Sequence, residues 1–329
     1  MFRTKRWHIF FRVDGNSQIG LGHIYRSLAL ASFVCNEYDI TFILKDNLTP
    51  VSIRPIIEYN QIIIPKNIHL QDEPRYLAEI LKDSHMMITL DGYNFNDQYL
   101  NDLEKHGAPI IFIDDQIKLN FSPCSLIINH AGGIDKEKYK SSPHAQLLLG
   151  PKYTIIKSIF FKNSSLPKVK DPNIFICFGG ADPKDKTNFT IKEIINKKVS
   201  YQVINIVVGQ AYDKMNELKE LCIDLKNIKI HKNLSQDKLS KLMEISHIGI
   251  TSPSTTSYEF SASSLGQLFL IKTAENQENI FKYLIENGFA KVFEEISTSE
   301  ITNKKSRLID GKSPGRIRLA LDKIKETRL

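Results

Sequence analysis

Short apolar runs alternate with longer mixed segments through the first half of the chain. Runs at residues 9–11, 40–44, 61–64, 86–90, 110–113 and 126–128 predict strands, and the segments 24–34, 74–81 and 96–105 predict helices. Alternation at this spacing implies parallel βαβ units with right-handed crossovers. Between residues 158 and 173 the pattern lapses into KNSSLPKVKDP, a linker by composition. The same grammar then restarts. Strands are predicted at 174–178, 203–208, 229–230, 248–251 and 268–272, and helices at 187–195, through Glu259 and Phe260, and at 277–286 before Asn287-Gly288. A last candidate helix, 317–324, puts Ile317, Ala320, Leu321 and Ile324 on one face. That face is small and has no aromatic anchor, which favours packing back across the domains over lying on a membrane. The expected organisation is α/β, with two tandem Rossmann-like domains facing a central cleft, at residues 1–165 and 166–329, the second carrying the terminal helix.

Two loops interrupt this pattern with residues suited to ligands. The first, DGNSQIGLGHIYR (Asp14 to Arg26), follows the first strand and opens the first helix. Gly15, Gly20 and Gly22 permit a sharp turn or a close backbone approach to a ligand. His23 falls at or just inside the helix N-terminus, at the carboxyl edge of the sheet where open α/β folds bind ligands. Tyr25 stands where a third glycine would complete a dinucleotide fingerprint, so the loop is not one. It is either a ligand loop or a glycine-rich connection with an incidental histidine. The second loop, SPSTTS (Ser252 to Ser257), either receives a phosphate on hydroxyls and helix N–H groups or is an over-provided N-cap. Polar residues also fall just past predicted strand ends: Asp91 and Tyr93, Asp114 and Asp115, Asn129 and His130. Each alone is an ordinary cap or turn residue, but together on one sheet edge they suggest a cleft.

Composition narrows the possibilities. With 329 residues, 42% hydrophobic and 25% charged, the chain is globular and long enough for two cores. The formal charge of +7 is spread out, which suits an anionic small molecule better than nucleic acid. Cys35, Cys124, Cys177 and Cys222 are scattered without C-x-x-C spacing and read as reduced residues of a cytoplasmic protein. The apolar stretch near the start is too short for a signal sequence, and nothing approaches 18 consecutive apolar residues. Stable membrane insertion is therefore not expected, and the expected state is a monomer.

The two small-residue loops on tandem Rossmann-like domains suggest a nucleotide-sugar enzyme of the glycosyltransferase-B architecture. The segment DGNSQIGLGHIYRSLALA closely resembles the amino-terminal motif of the UDP-2,4-diacetamido-2,4,6-trideoxy-β-L-altropyranose hydrolases of pseudaminic acid biosynthesis, relatives of the transferase that makes lipid II. The resemblance continues through LDGYNF, IFIDDQ, IINHAGG, LLLGPKYTIIKSIF, CFGGADPKDKT, TSPSTTSYEF and IDGKSPGRIR, most of the chain. It implies hydrolysis of the bond between sugar and UDP, releasing a free diacetamido sugar for nonulosonate synthesis and surface-glycan modification. His23 would be the base, and Glu259 would hold the ribose hydroxyls. Gly179, Gly180, Asp182, Ser254 and Thr255 would line the UDP site. Gly20, Gly22, Asp91, Tyr93, Asp115 and Asn129 are further candidate substrate contacts. Neither a nicotinamide cofactor nor a metal is implied.

The chemistry suits these residues. Imidazole can take a proton from water near neutral pH. The charge developing on UDP can be met by N–H groups at a helix start, and direct attack at the anomeric carbon would invert it. Asp14 would either orient His23 or bind a sugar hydroxyl. Asp91, Asp114 and Asp115 could hold magnesium with a phosphate, but their spacing and their place in the amino-terminal half favour loop-ordering or sugar contacts. The chain departs from the family at Asp91-Gly92-Tyr93, where Asp-His-Tyr is common, and at Asn129-His130-Ala131, where Asn-Gln-Asn is common. The alternatives are a transferase passing an amino sugar from UDP to a hydroxyl acceptor, and a non-catalytic nucleotide-sugar-binding protein.

Overall fold

The computed structural model describes residues 6–15, 22–46, 56–162, 166–297 and 307–328. It resolves two compact units: Met1–Lys157 together with Lys312–Leu329, and Ser158–Gly311.

The first unit is built on β1 (His8–Val13), β2 (Asp39–Lys45), β3 (Asn60–Ile64), β4 (Met86–Asp91) and β5 (Ile110–Ile113). After these come β6 (Asn120–Phe121), β7 (Cys124–Asn129), β8 (Lys140–Ser141) and β9 (Gln146–Leu149). Seven of these strands form one sheet in the order β3-β2-β1-β4-β5-β7-β9, every pairing parallel. β6 and β8 form a separate short pair. The run IFFRV of β1, apolar but for the buried and paired Arg12, follows from burial on both faces. Successive side chains alternate: Ile9, Phe11 and Val13 enter one cluster, and Phe10 enters the other. The first cluster is closed by α1 (Gly22–Val34) through Ile24, Leu28 and Ala31. The second receives Leu77 from α2 (Glu73–Ala78) and Tyr99, Leu100 and Leu103 from α3 (Asp97–Glu104).

The terminal helix, Ser313–Glu326, belongs to this first unit and not to the second, where it was expected. Its apolar face is the one expected, since Ile317, Ala320, Leu321 and Ile324 all enter the cluster with α1. Polar contacts fix its register. Tyr38 Oη donates to Asp322 at 3.1 Å, Gln146 Nε2 donates to the Ala320 carbonyl at 2.8 Å, and Arg318 pairs with Glu37 at 2.8 Å.

The second unit contains β10 (Asn173–Cys177), β11 (Val203–Val208), β12 (Ile228–Lys232), β13 (Ile248–Thr251), β14 (Gln267–Leu270) and β15 (Lys291–Val292). They form a parallel sheet in the order β12-β11-β10-β13-β14-β15. Its helices are α4 (Lys186–Asn196), α5 (Met215–Cys222), α6 (Gln236–Glu244), α7 (Thr255–Ser263) and α8 (Glu278–Glu286). The boundary expected at residue 165 falls instead after Lys157. The reason is that Ser158–Phe160 is a helical turn tied to the second unit. Ser240 Oγ donates to the Ile159 carbonyl at 2.9 Å and Ser263 Oγ to the Phe160 carbonyl at 3.2 Å, while the Phe160 ring is buried.

α5, α6, β9 and β15 are elements that periodicity did not single out. α5 buries only Leu218 fully, and α6 only Ser240 and Met243, so each offers a short, half-buried apolar face in a highly charged segment. Among the described residues no helix is long and apolar enough to cross a membrane.

Candidate active site

In the first unit the sheet order lines up the polar residues that follow the strands. β1, β4, β5 and β7 are consecutive neighbours and all parallel, so their carboxyl ends share one edge. Asp14, Asp91, Asp114 with Asp115, and Asn129 with His130 stand in that order along it. Val13 pairs with Asp91, and the Asp14 amide donates to the Asp91 carbonyl at 3.0 Å.

α1 supplies the other half of the site. His23, Arg26 and Ser27 are spaced i, i+3, i+4, so a helix packed on the sheet presents them together. All three converge on Asp91, which is fully buried. His23 Nδ1 lies 2.7 Å from Asp91 Oδ1. Arg26 grips the same carboxylate with both arms of its fork, Nε to Oδ2 at 3.0 Å and a terminal nitrogen to Oδ1 at 2.5 Å. Ser27 Oγ adds a contact to Oδ2 at 3.3 Å. Burial alone would raise the Asp91 carboxyl, but Arg26 and then His23 overcome it and hold it down at about 2. With Asp91 ionised and acceptor-only, Nδ1 carries the proton toward it, and Nε2 of His23 is left as an acceptor.

A lip of partly exposed groups adjoins this pair. The Tyr93 ring meets the His23 ring edge-on, with centroids 4.5 Å apart. Tyr93 Oη donates to Asp115 Oδ2 at 2.9 Å, and Arg26 reaches the same oxygen at 3.4 Å. Burial, followed by the charge of Asp115, raises the Tyr93 phenol. His130 is buried, and burial, reinforced by the cation of Arg26, pushes its imidazole down to about 3.

The carboxylates and amide along this edge also have partners within the protein. Asp14 makes no hydrogen bond to His23 among the described residues. Its carboxylate is held by Arg12 at 2.6 Å and by Asn94 at 3.1 Å, and Arg12 is itself paired with the fully buried Glu73 at 2.9 Å. The orienting carboxylate is therefore Asp91, not Asp14. Asn129 spends both amide donors inside the protein, on Asp114 at 3.2 Å and Tyr139 at 2.8 Å, and its carbonyl accepts from the Ala131 amide. Asp114 orders its own loop, accepting from the Gln116 and Ile117 amides as well as from Tyr139. Gly22 is the exposed first residue of α1, with nothing among the described residues within 4 Å of where a Cβ would be, and Gly20 lies outside the described residues.

In the second unit β10 and β13 are neighbours, with Cys177 opposite Thr251, which brings the loops after them together. Gly179 has φ +91°, a conformation that favours glycine. The next loop comes so close that a Cβ on Gly209 would stand 2.3 Å from the Gly180 carbonyl oxygen. Asp182 is spent on α4, accepting from the amides of Lys186 and Thr187 at 2.9 and 2.8 Å and from Thr187 Oγ1 at 2.7 Å. Its carboxylate thus caps the start of α4. Ser254 precedes α7 but makes no side-chain cap; its hydroxyl meets Ser252 Oγ at 3.0 Å. The first N–H groups of α7 lack acceptors within the helix.

Glu259 follows Thr255 by four residues, on the same face of α7. It is 8% exposed, and among the described residues no hydrogen bond or ion pair reaches its carboxyl. Burial pushes that carboxyl up to about 8. No group of three His, Cys, Asp or Glu side chains able to hold a metal occurs among the described residues.

Arg26 and Ser27 are the members of this constellation that the sequence reading missed. The available signal was an arginine inside an otherwise apolar helix, three residues after His23.

Two successive parallel α/β units define the fold, that of the glycosyltransferase-B class. Over 96% of this chain and 91% of the other, it superposes on MurG of Acinetobacter baumannii with a TM-score of 0.59 and 13% identity. A UDP-glucosyltransferase from Polygonum tinctorium capable of glucosylating indoxyl gives 0.59 and 10% over 98% and 94% of the two chains. No family model matches the chain. Among curated proteins it is similar to an uncharacterized protein of Methanocaldococcus jannaschii, 27% identical over 75% of this chain and 52% of that protein. The chain thus spans about half the length of that relative. It is also similar to the UDP-2,4-diacetamido-2,4,6-trideoxy-β-L-altropyranose hydrolase of Campylobacter jejuni, 26% identical over 85% of this chain and 97% of that enzyme.

Proposed function

We propose that this protein is a UDP-sugar enzyme in which His23 Nε2 takes the proton of an oxygen nucleophile attacking the anomeric carbon. The carrying observation is the 2.7 Å pairing of His23 Nδ1 with a buried, ionised Asp91. It stabilises the tautomer and orientation a general base needs, and the imidazolium formed after proton transfer. UDP is held by Gly179, Gly180, Ser254 and Thr255, whose hydroxyls and helix-start N–H groups suit a pyrophosphate. Glu259 takes the ribose hydroxyls, which would give its buried carboxyl the partners it lacks. Tyr93 and Asp115 contact the sugar. These groups meet the developing negative charge on UDP without a divalent ion, so turnover after exhaustive dialysis against EDTA should match that with added Mg²⁺.

In the narrower reading the nucleophile is water. The products are then UDP and a free 2,4-diacetamido-2,4,6-trideoxy sugar of inverted anomeric configuration, made in the cytoplasm for pseudaminic acid synthesis and surface-glycan modification. Similarity to the Campylobacter hydrolase along nearly all of that enzyme supports it. A second reading, transfer to a hydroxyl acceptor, is favoured by the solved structures sharing the fold, which include the Polygonum glucosyltransferase. NMR of UDP-linked diacetamido sugars incubated with the pure protein separates the two. Free sugar and UDP without an acceptor support hydrolysis, and UDP released only with a hydroxyl acceptor supports transfer. Absence of turnover in both would leave only nucleotide-sugar binding.

A further inference from the structure

We infer that Arg26 is the positioning residue of the His23 base: by taking both oxygens of Asp91 in its fork, it fixes the carboxylate and balances its charge, so that the imidazole stays neutral with Nε2 unprotonated. The inference rests on the reading of His23 as the base, and it assigns a task to a residue that touches neither the sugar nor the nucleotide in that reading.

The geometry separates this role from ordinary packing. A bidentate guanidinium–carboxylate pair fixes a plane, and here it fixes the oxygen toward which Nδ1 points. The guanidinium also lies 3.1 Å from His23 Nδ1 but has no acceptor, so a hydrogen on Nδ1 is received by the carboxylate 2.7 Å away. Without Arg26, the side-chain hydrogen bonds left to the buried Asp91 carboxylate among the described residues are those of His23 and Ser27. Such an anion draws a proton onto imidazole, and an imidazolium cannot act as a base.

The charged and titratable groups around His23 come from four elements. Asp91 is on β4, Tyr93 follows it, Arg26 is on α1, and Asp115 and His130 follow β5 and β7 and approach through Arg26. Arg26 is the one cation among them, and it is buried between two carboxylates. Its removal therefore shifts the local balance in one direction, toward a protonated imidazole.

The test compares wild type with Arg26→Gln and Arg26→Lys. The first readout is the titration of the His23 Cε1–H signal by NMR on the free protein, which needs no substrate or turnover. In Arg26→Gln the midpoint should move upward by about one pH unit or more, the effect of deleting a neighbouring cation. Arg26→Lys keeps the cation without the fork and should stay near wild type. The second readout is kcat/KM against pH on the UDP-sugar. Arg26→Gln should move the acidic limb to higher pH and lower kcat at pH 7 by about tenfold or more, with KM changed far less. Guanidinium ion at millimolar concentration should restore part of the rate. A His23 midpoint unmoved in Arg26→Gln would overturn the inference, as would a loss of kcat equal at every pH. If Arg26→Gln does not fold, a wild-type midpoint with reduced kcat in Arg26→Lys still supports it, and unchanged kcat in that variant refutes it. A moved midpoint without turnover on any UDP-sugar would instead refute the proposed function and leave the positioning intact.

Discussion

His23 Nδ1 and Asp91 Oδ1 stand 2.7 Å apart although 68 residues separate them in the chain. The parallel pairing of β1 with β4 puts Asp91 beside the start of α1, and the helix turns His23 onto it. The pair makes the site more than a glycine loop with a histidine in it.

Substituting His23 by Ala should lower turnover by at least about a hundredfold, within the range for positioned proton transfer. UDP affinity by calorimetry should stay near wild type, because the residues proposed to hold the nucleotide belong to the second unit. A loss smaller than about tenfold would remove His23 from the role of base.

Asp91→Asn keeps the shape but removes the charge that Arg26 and His23 share. Loss of one partner of a buried ion pair costs roughly 3–5 kcal/mol, so chemical denaturation should show a drop of that order together with the loss of turnover. The acid side carries the sign. The folded carboxyl sits near 2, below its ordinary 3.8, so this stability is fully present above about 3.8 and is lost as pH falls through about 2. Acid unfolding of Asp91→Asn should lack that component.

Glu259 behaves in the opposite sense. Its carboxyl is raised from 4.5 to about 8, so the stability from its protonated form is complete below about 4.5 and is lost as pH rises through about 8. Glu259→Gln should therefore gain stability relative to wild type as pH increases, levelling off above about 8. The same variant should bind UDP more weakly near neutral pH by roughly 0.5–1.5 kcal/mol, the range for a hydrogen bond between neutral groups. Unchanged UDP affinity in the folded variant would refute its contact with ribose.

Gly92 and Gly22 should respond differently to alanine. A Cβ on Gly92 would come within 2.5 Å of Asp14 Oδ2, and that carboxylate is held by Arg12 and Asn94. Gly92→Ala should cost about 1–3 kcal/mol, the usual range for overpacking. At Gly22 nothing among the described residues lies within 4 Å of the added methyl, so thermal stability should hold or rise by up to about 1 kcal/mol. Reduced activity in a stable Gly22→Ala would then report a substrate passing close to the backbone there.

The sequence by itself determined the two runs of parallel strands and the loops that carry the polar residues. Strand and helix periods are local properties, readable wherever one face or both faces of an element are buried, as in β1 and α1. It also pointed to the apolar face of the terminal helix, because four residues at helical spacing suffice to show it. Tertiary structure decided which unit receives that face. The choice depends on Tyr38, Gln146 and Glu37, far from residues 313–326 in sequence and near them in space. The assignment of carboxylates followed the same rule. Asp14, Asp91, Asp114, Asp182 and Glu259 look alike in a sequence, each an acid at or after the end of a strand or in a helix. Their partners set them apart: an arginine–asparagine clamp for Asp14, a shared imidazole and guanidinium for Asp91, loop amides for Asp114, and a helix start for Asp182. Glu259 alone of the five is left without a partner among the described residues. An ionisable group takes its protonation and its task from what surrounds it in three dimensions, and only folding brings those surroundings together.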